Sequence, residues 1–236
     1  MSPAPLKTFF NWSTGKDSAL ALYHLRRDAA YSVERLLTSV NAAHDRVSMH
    51  GLRREFMLAQ ADAIGLPLKT IELPEQSDMP LYENKMSEAV SALKADGFSH
   101  SAFGDIFLED LRRYREEKLA ALSLKAVFPL WKRDTRGLMR EFLELGFKAV
   151  VVCVNSDFLD ASFAGRLLDE SFLADLPAGV DPCGENGEFH TFCFAGPVFR
   201  QAIPFRIGER VLREYPAPAA GGKKHAGFCF CDILPA

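Results

Sequence analysis

The stretch Phe9–Leu22, FFNWSTGKDSALAL, determines the fold expected for this chain. Its apolar start, which ends at Trp12, predicts a buried strand, and a helical pattern begins at Ser18. The residues between form a short polar turn. A turn that leads from a strand into a helix exposes unpaired backbone N–H groups and the positive end of the helix dipole. The stretch therefore predicts an anion site.

The turn carries side chains that suit such a site: Ser13, Thr14, Gly15, Lys16, Asp17 and Ser18. The hydroxyls can donate hydrogen bonds, Lys16 is a mobile cation, and Gly15 allows a ligand to approach the backbone closely. The carboxylate of Asp17 fits beside phosphates if a divalent cation lies between them. Turns of this composition are also common without a ligand, and a turn that binds nothing is the competing interpretation.

Two well-known phosphate loops are excluded by inspection. A Walker A loop requires a glycine five residues before Gly15, where Phe10 stands. It also requires Ser or Thr after the lysine, where Asp17 stands. A dinucleotide G-x-G-x-x-G sequence is absent as well.

The composition is that of a cytoplasmic globular protein with one large domain, or one domain with an appendage. The chain has 236 residues, of which 48% are hydrophobic and 25% charged. A net charge of −3 gives no support for general nucleic-acid or membrane binding. The N-terminus lacks a signal-peptide pattern, and the five cysteines show no disulfide spacing.

Strand and helix patterns alternate over residues 1–155, which predicts an α/β fold with a parallel sheet and helices on both faces. Residues 156–236 are predicted to form a smaller α+β substrate domain. Ligands of such sheets bind beyond the carboxyl ends of the strands. Three loops are expected to converge there: Ser13–Ser18, Asn41–Arg46 and Gly104–Asp105.

Individual elements are also predicted. Helices are expected over residues 51–64, 82–95 and 109–124, and over 163–172 near the start of the second domain. Thr135 is expected to cap a further helix. The continuous apolar run Ala149–Val154 predicts a fully buried parallel strand, and Ala217–Lys224 a loop.

A second polar constellation is the sequence GENGEFHT at Gly184–Thr191. It places Glu185, Glu188 and His190 within six residues, around two glycines. Alternation in an extended chain would direct Glu188 and His190 to one face. These groups could hold a metal, orient an amine or act as a general base. A solvated surface hairpin is the competing interpretation.

The motifs together resemble a known family. Ser13–Ser18 is similar to the SGGxDS pyrophosphate loop of the PP-loop superfamily, with Thr14 at its middle glycine. Gly104-Asp105-Ile106, Pro129-Leu130-Trp131 and the CGExGE pattern at 183–188 follow in the order found in the diphthine–ammonia ligase family and its bacterial relatives. This resemblance covers essentially the whole chain and implies a Rossmann-like (HUP-like) ATP-binding domain.

The resemblance implies an amide ligase that uses ATP and Mg²⁺. A carboxylate, on a small molecule or on a protein, would become an acyl-adenylate with release of pyrophosphate, and ammonia or an amine would then displace AMP. The implied nucleotide-binding residues are Ser13, Thr14, Gly15, Lys16, Asp17, Ser18, Asn41, Gly104 and Asp105. Asp17 and Asp105 would hold the metal. The implied catalytic residues are Lys16, Asp17, Glu185, Glu188 and His190.

One departure from the family pattern concerns the substrate. Diphthamide-making members carry a glutamate where this chain has His190, and Asn186 and His190 resemble the bacterial branch. The acyl substrate therefore stays open between diphthine, a cobalamin-related carboxylate and others. Two further functions stay open, a tRNA-modifying PP-loop enzyme and a non-catalytic ATP-binding sensor. A homodimer formed through the C-terminal portion is compatible with the sequence.

Other reactive side chains receive simpler interpretations. Arg112 and Arg115 could meet a phosphate or RNA backbone at the mouth of the site, but a solvated helix face with internal ion pairs explains most of this cluster. Cys229 and Cys231 are predicted to occupy alternate positions of a buried strand. Cys183 is predicted to fill a turn as a small apolar residue rather than to act as a nucleophile.

Overall fold

The computed structural model describes residues 4–47, 51–75, 78–216 and 225–236. In chain order its elements are β1 (Leu6–Asn11), α1 (Lys16–Arg27), β2 (Tyr31–Asn41), β3 (Arg46–Val47), α2 (Arg54–Ile64), β4 (Leu68–Leu73), α3 (Met79–Ala95), β5 (His100–Ala102), α4 (Glu109–Ala121), β6 (Lys125–Val127), α5 (Thr135–Glu144), β7 (Lys148–Asn155), α6 (Glu170–Asp175), β8 (Phe189–Ala195), β9 (Phe205–Pro216) and β10 (His225–Pro235). The predicted loop Ala217–Lys224 lies outside the described residues.

The first sheet is parallel apart from the short strand β3. β1 lies between β2 and β5, β4 pairs with β2, and β6 pairs with β5. Without β3, the strand order is that of a doubly wound parallel sheet. The order in which the chain adds strands reverses between β1 and β5, and we call this point the sheet reversal. Ligands of such folds bind at this reversal, where the loops after both strands open. The predicted α/β fold is confirmed.

Both faces of the first sheet are buried, as the alternating side chains of its strands require. Phe10 and Leu36 belong to one hydrophobic cluster, with α1, α2, α5 and the second sheet. Their neighbours Phe9 and Leu37 belong to another, with α3 and α4. Adjacent strand residues point to opposite faces, so two continuous apolar strands need cover on both sides.

The second sheet is antiparallel and has the order β8-β7-β10-β9. The prediction that Ala149–Val154 is a parallel strand is therefore wrong, because β7 pairs antiparallel with both of its neighbours. The apolar run correctly predicted that this strand is buried, but burial on both faces does not determine whether its neighbours run parallel or antiparallel. The sheets change between β6 and β7, while a domain boundary after residue 155 stays a prediction.

Two local predictions in the C-terminal half are also wrong. The helix expected over residues 163–172 is a 3₁₀ turn at Ala161–Phe163 and, after a break, the short helix α6. Gly165 lies in the break at a φ of 82°, which no α-helix accepts. Helix α5 is capped by Asp134 and not by Thr135, since its carboxylate accepts the Gly137 N–H at 2.7 Å.

An ion-paired cluster joins the second sheet to the first. Asp232 on β10 accepts hydrogen bonds from Arg53 at 2.6 Å, just before α2, and from Arg46 on β3 at 3.1 Å. All five cysteines are free and buried. Cys229 and Cys231 occupy alternate buried positions of β10, as predicted. Among the described helices, none is long and apolar enough to cross a membrane.

Candidate functional site at the sheet reversal

The turn after β1 leads into helix α1, whose N-cap residue has no side chain to cap the helix. Gly15 is the N-cap residue and provides no side-chain hydrogen bond. The hydroxyls of Ser13 and Ser18 lie 2.7 Å apart at the mouth of this turn. The first N–H groups of a helix have no acceptors within the helix. The turn therefore has the strand-to-helix geometry on which the predicted anion site depends, and the site itself stays a prediction.

Thr14, and not Gly15, has the unusual backbone conformation. Its φ is 74°, in the left-handed region, while Gly15 has an ordinary φ of −87°. The conformation of Gly15 is therefore open to other residues, and the close approach of a ligand to its backbone stays a prediction. Thr14 is fully buried, and its hydroxyl has no hydrogen-bond partner among the described residues. A β-branched residue is strained in this conformation.

The backbone of the turn is held by residues far along the chain. The carbonyl oxygen of Thr14 accepts hydrogen bonds from the backbone N–H of Cys193 at 3.0 Å and from Nε2 of Gln60 at 2.9 Å. The N–H of Lys16 donates to the hydroxyl of Thr191 at 3.1 Å. Strand β8 and helix α2 therefore position the turn.

Gln60 is a buried residue that the sequence analysis missed. Its Oε1 accepts from Nε1 of Trp12 at 2.8 Å, and Nε2 also donates to the Cys193 carbonyl at 2.7 Å. A signal existed, because Gln60 follows Phe56 by four residues on the buried stripe of α2. A polar side chain in an apolar stripe indicates a buried partner.

The loop after β5 reaches the same helix terminus. A Cβ atom on Gly104 would lie only 3.0 Å from the backbone of Asp17 and Ser18, so glycine is required for this close approach. Asp105 forms an ion pair with Arg115, at 2.8 Å between Oδ2 and Nε. Arg115 lies over the ring of Phe103, 4.3 Å from its centroid.

Lys16 connects the turn to the GENGEFHT segment. Its ammonium group lies 2.7 Å from Oδ2 of Asp17 and also donates to the carbonyl oxygen of Cys183. Burial is the largest single effect and lowers the pKa of Lys16. The charge and hydrogen bond of Asp17, together with the charges of Cys183 and Glu185, outweigh burial, and the pKa lies above its usual value. Burial raises the pKa of the Cys183 thiol, which keeps it protonated and supports its prediction as a turn residue.

Glu188 is buried and organises the loop that precedes β8. Its carboxylate accepts the N–H of Asp181 at 3.0 Å and the N–H of Asn186 at 2.9 Å. Asp181 in turn accepts the N–H groups of Cys183 and Glu185. The side chains of Glu188 and His190 do not share a face, because Glu188 lies before β8 and turns into its own loop.

Glu185 lies on the outer side of this loop and meets the loop after β5. Its Oε1 accepts the N–H of Ile106 at 2.7 Å. Burial raises the pKa of Glu185 to about 7, against the effect of the Ile106 N–H and with help from the charges of Asp17 and Asp105. A carboxyl group with this pKa exchanges protons near neutral pH.

The turn after β1, the loop after β5 and the GENGEFHT segment line one cleft of about 340 Å³. The predicted site residues that line it are Ser13, Gly15, Lys16, Asp17, Ser18, Gly104, Asp105, Glu185 and His190. Burial and the charge of Lys16 lower the pKa of His190 to about 4, so its imidazole is neutral near pH 7. Thr38 and Ser39 of β2 also line the cleft and were not predicted.

Thr14, Asn41 and Glu188 do not line the cleft. The Asn41 side chain accepts the N–H groups of Ala43 and His44 and lines a neighbouring cavity of about 500 Å³. Arg115 lines the cleft, while Arg112 pairs with Glu116 at 2.8 Å and lies over Trp131.

Comparison with known families gives two matches that together cover most of the chain. The model of the diphthamide synthase N-terminal domain matches residues 6–125, and that of the C-terminal domain matches residues 134–215. The chain belongs to the diphthamide synthase family. The two matched segments meet near the change from the first sheet to the second.

Curated relatives of this family member carry the name diphthine–ammonia ligase. The zebrafish (Danio rerio) protein is 31% identical over 69% of this chain and 69% of its own length. The bovine (Bos taurus) protein is 30% identical over 61% and 59%, and the human (Homo sapiens) protein 33% identical over 47% and 43%. The match thus spans less than two thirds of the bovine and human proteins.

A solved structure, the U34-tRNA thiolase NcsA from Methanococcus maripaludis, is similar with a TM-score of 0.39. The sequence identity is 16%, over 61% of this chain and 59% of that chain. This distant likeness supports no functional conclusion.

The division of work between the two glutamates gives a first prediction. We expect Glu188→Gln to lower the free energy of unfolding by about 2 kcal/mol, because an amide nitrogen then faces backbone N–H groups. The matched control Glu185→Gln keeps an acceptor for Ile106. Since the folded-state pKa of Glu185 is raised to about 7, ionisation of Glu185 lowers the stability of the wild type as pH rises from the unfolded-state pKa of 4.5 to about 7. Above pH 7 this loss is complete, and Glu185→Gln is expected to be more stable than the wild type.

Urea unfolding at pH 5 and pH 8 measures both effects. A Glu188→Gln variant as stable as the wild type would contradict the loop-organising role. A Glu185→Gln variant that gains nothing between pH 5 and pH 8 would contradict the raised pKa.

The strained backbone of Thr14 gives a second prediction. Thr14→Gly removes both the strain at positive φ and a buried hydroxyl without a described partner, and we expect stability to rise by about 1 kcal/mol. Thr14→Ala is the control, because it removes the hydroxyl and keeps the strain. Thermal unfolding should rank glycine above alanine, and the reverse order would show that the conformation of Thr14 costs nothing.

Proposed function

We propose that this chain is an ATP-dependent amide ligase of the diphthine–ammonia ligase kind. In this proposal ATP is cleaved to AMP and pyrophosphate, and a carboxylate is adenylated for attack by ammonia or an amine. The observation that carries it is the N-terminus of α1 at the sheet reversal, whose N-cap residue Gly15 supplies no side-chain hydrogen bond and which shares one cleft with Glu185. The ligase names of the relatives support the same reaction class.

In this proposal the triphosphate of ATP binds to the turn Ser13–Ser18. Backbone N–H groups at the helix terminus, the two serine hydroxyls and Lys16 together provide the donors that a pyrophosphate needs. Pre-positioned donors stabilise the charge that develops on the leaving group. Lys16 would exchange one of its present acceptors, Asp17 or the Cys183 carbonyl, for a phosphate oxygen.

A Mg²⁺ ion fits the donor chemistry of this cleft. The described residues contain no group of three or more potential metal ligands. Asp17 and Asp105 line the cleft, and Mg²⁺ in nucleotide sites is bound by one or two carboxylates together with phosphate oxygens and water. When bound, the ion would neutralise phosphate charge. Asp17 and Asp105 are the residues proposed to hold it.

The reaction has two steps. The substrate carboxylate oxygen attacks the α-phosphorus, the bond from the α-phosphorus to the bridging oxygen breaks, and pyrophosphate leaves. The nitrogen of ammonia or an amine then attacks the acyl carbon, and the bond from this carbon to the AMP oxygen breaks. The nitrogen gives up a proton, which we assign to the Glu185 carboxylate because its pKa of about 7 suits a general base.

The other proposed residues have supporting roles. Neutral His190 lies beside Lys16 on the cleft wall, where it can position the acyl group without adding charge. Glu188 was predicted as a catalytic residue, and its contacts favour a positioning role through the loop that presents Glu185.

The fate of the α-phosphate tests the proposal. We expect wild-type protein, given α-³²P-ATP, Mg²⁺, ammonium and pooled cell extract, to form labelled AMP. Asp17→Asn should reduce this rate by about 10²-fold or more, since a group that positions phosphates contributes several kcal/mol. Asp110→Asn is the control, because Asp110 is exposed and outside the cleft.

The outcomes separate the competing functions. Labelled ADP would overturn cleavage between the α- and β-phosphates. Tight binding of ATP that stays intact would favour the sensor, and AMP formation that depends on added tRNA would favour a nucleotide-modifying enzyme.

The pH dependence tests the role of Glu185. The proposed base works as the carboxylate, so the rate of AMP formation is expected to rise with pH through about 7. Glu185→Gln should be slow and should lose this inflection while it still binds ATP. A Glu185→Gln variant with an unchanged rate and profile would rule out the assigned proton transfer.

A further inference from the structure

Strand β9 forms a free edge of the second sheet. It is 12 residues long and, within the described part of the chain, pairs with β10 alone. An edge strand presents a row of unpaired N–H and C=O groups that a further strand can bind. Short length is one of the devices by which proteins protect such an edge, and β9 does not use it. The length of β9 makes it a candidate interface.

Exposed apolar side chains concentrate on this strand. Ile207, Val211, Leu212 and Tyr215 are each exposed, and Leu212 retains 62% of its accessible surface. Isolated exposed apolar residues are normal on a protein surface. Val211 and Tyr215 lie on one face of β9, where both line the cavity of about 500 Å³, and Leu212 lies on the other face. Exposed apolar side chains on both faces beside unpaired backbone fit a partner strand.

The charges of β9 indicate which strand would pair with it. Its sequence, FRIGERVLREYP, is self-complementary when a second copy runs antiparallel with Val211 opposite Val211. Glu209 then lies opposite Arg213, and this pair occurs twice. Both residues line the same cavity as Val211 and therefore share its face of the strand. Opposite charges directly across two strands stabilise the pair of strands.

Neighbouring registers are less favourable. Centring the pair on Arg210 places two guanidinium side chains opposite each other. Centring it on Leu212 places Val211 opposite Arg213 and Tyr215 opposite Glu209. It would also require Arg210 to reach Glu214, although Arg210 already donates to the Ala164 carbonyl of its own chain at 2.8 Å.

We propose that two copies of this chain associate through antiparallel pairing of β9, about a two-fold axis at Val211. The two second sheets then form one continuous eight-stranded sheet. The self-complementary register makes the interface isologous and closed, so assembly stops at the dimer. The cavities that contain Glu209, Val211 and Arg213 lie on the same face of that sheet.

Cysteine cross-linking tests the register directly. Directly opposed residues in an antiparallel pair have Cα atoms about 4.5–5.5 Å apart, within the range that a disulfide spans. We expect Val211→Cys to form a disulfide-linked dimer under mild oxidation. Leu212→Cys is the matched control, because it is next in sequence and more exposed but does not face its own copy. The five native cysteines are buried and should not interfere.

Charge reversal gives a second, independent readout. Glu209→Arg and Arg213→Glu each create two like-charged pairs across the interface, and we expect both variants to sediment as monomers. The double variant restores the opposite pairs and is expected to return to a dimer. Circular dichroism confirms that each variant is folded.

Several results would overturn the proposal. A wild-type protein that sediments as a monomer would show that the charges of β9 protect a free edge. Cross-linking of Leu212→Cys as strong as that of Val211→Cys would show a different register. A double variant that stays monomeric would show that Glu209 and Arg213 do not face each other.

Discussion

The carbonyl oxygen of Thr14 accepts two hydrogen bonds from residues that lie far along the chain, and the rest of the site depends on them. One donor is the backbone of Cys193 and the other is the buried amide of Gln60. The turn at Ser13–Ser18 contains a strained residue, and the hydrogen bonds between its own serines are not its only support. The surrounding structure supplies the constraint that backbone strain requires. Each of these hydrogen bonds contributes only about 1 kcal/mol to the stability of the protein, yet together they fix the position of the turn.

The carboxylates near the turn divide into two kinds according to what they touch. Asp181 and Glu188 accept backbone N–H groups inside one loop, where they replace water and fix the path of the chain. Asp17, Asp105 and Glu185 face the cleft and one another. Burial raises the pKa of Glu185, with help from the charges of Asp17 and Asp105. The two carboxylates inside the loop instead accept hydrogen bonds from backbone N–H groups. Close spacing in the sequence therefore conceals two different functions.

The sequence predicted the parallel sheet and the meeting of Ser13–Ser18 with Gly104–Asp105, because strand periodicity and fold topology are local or general properties. It did not predict the partners of those loops. The antiparallel direction of β7 depends on which strands it meets, and an apolar run carries no information about that. The inward turn of Glu188 depends on two glycines with φ values of 66° and 86°, which send the loop back on itself. Asn41 was misplaced because its side chain satisfies its own turn, and Thr38 and Ser39 line the cleft instead.

The distance along the chain between the turn and its partners has a consequence for synthesis. Lys16 and its acceptor Thr191 are 175 residues apart. At an elongation rate of about 5–20 residues per second, the ribosome needs roughly 9–35 s to make the intervening chain. The first sheet can form early in that interval, because its strands are consecutive. The turn lacks its β8 partners until synthesis has passed Thr191 and Cys193, so the order of translation delays completion of the site.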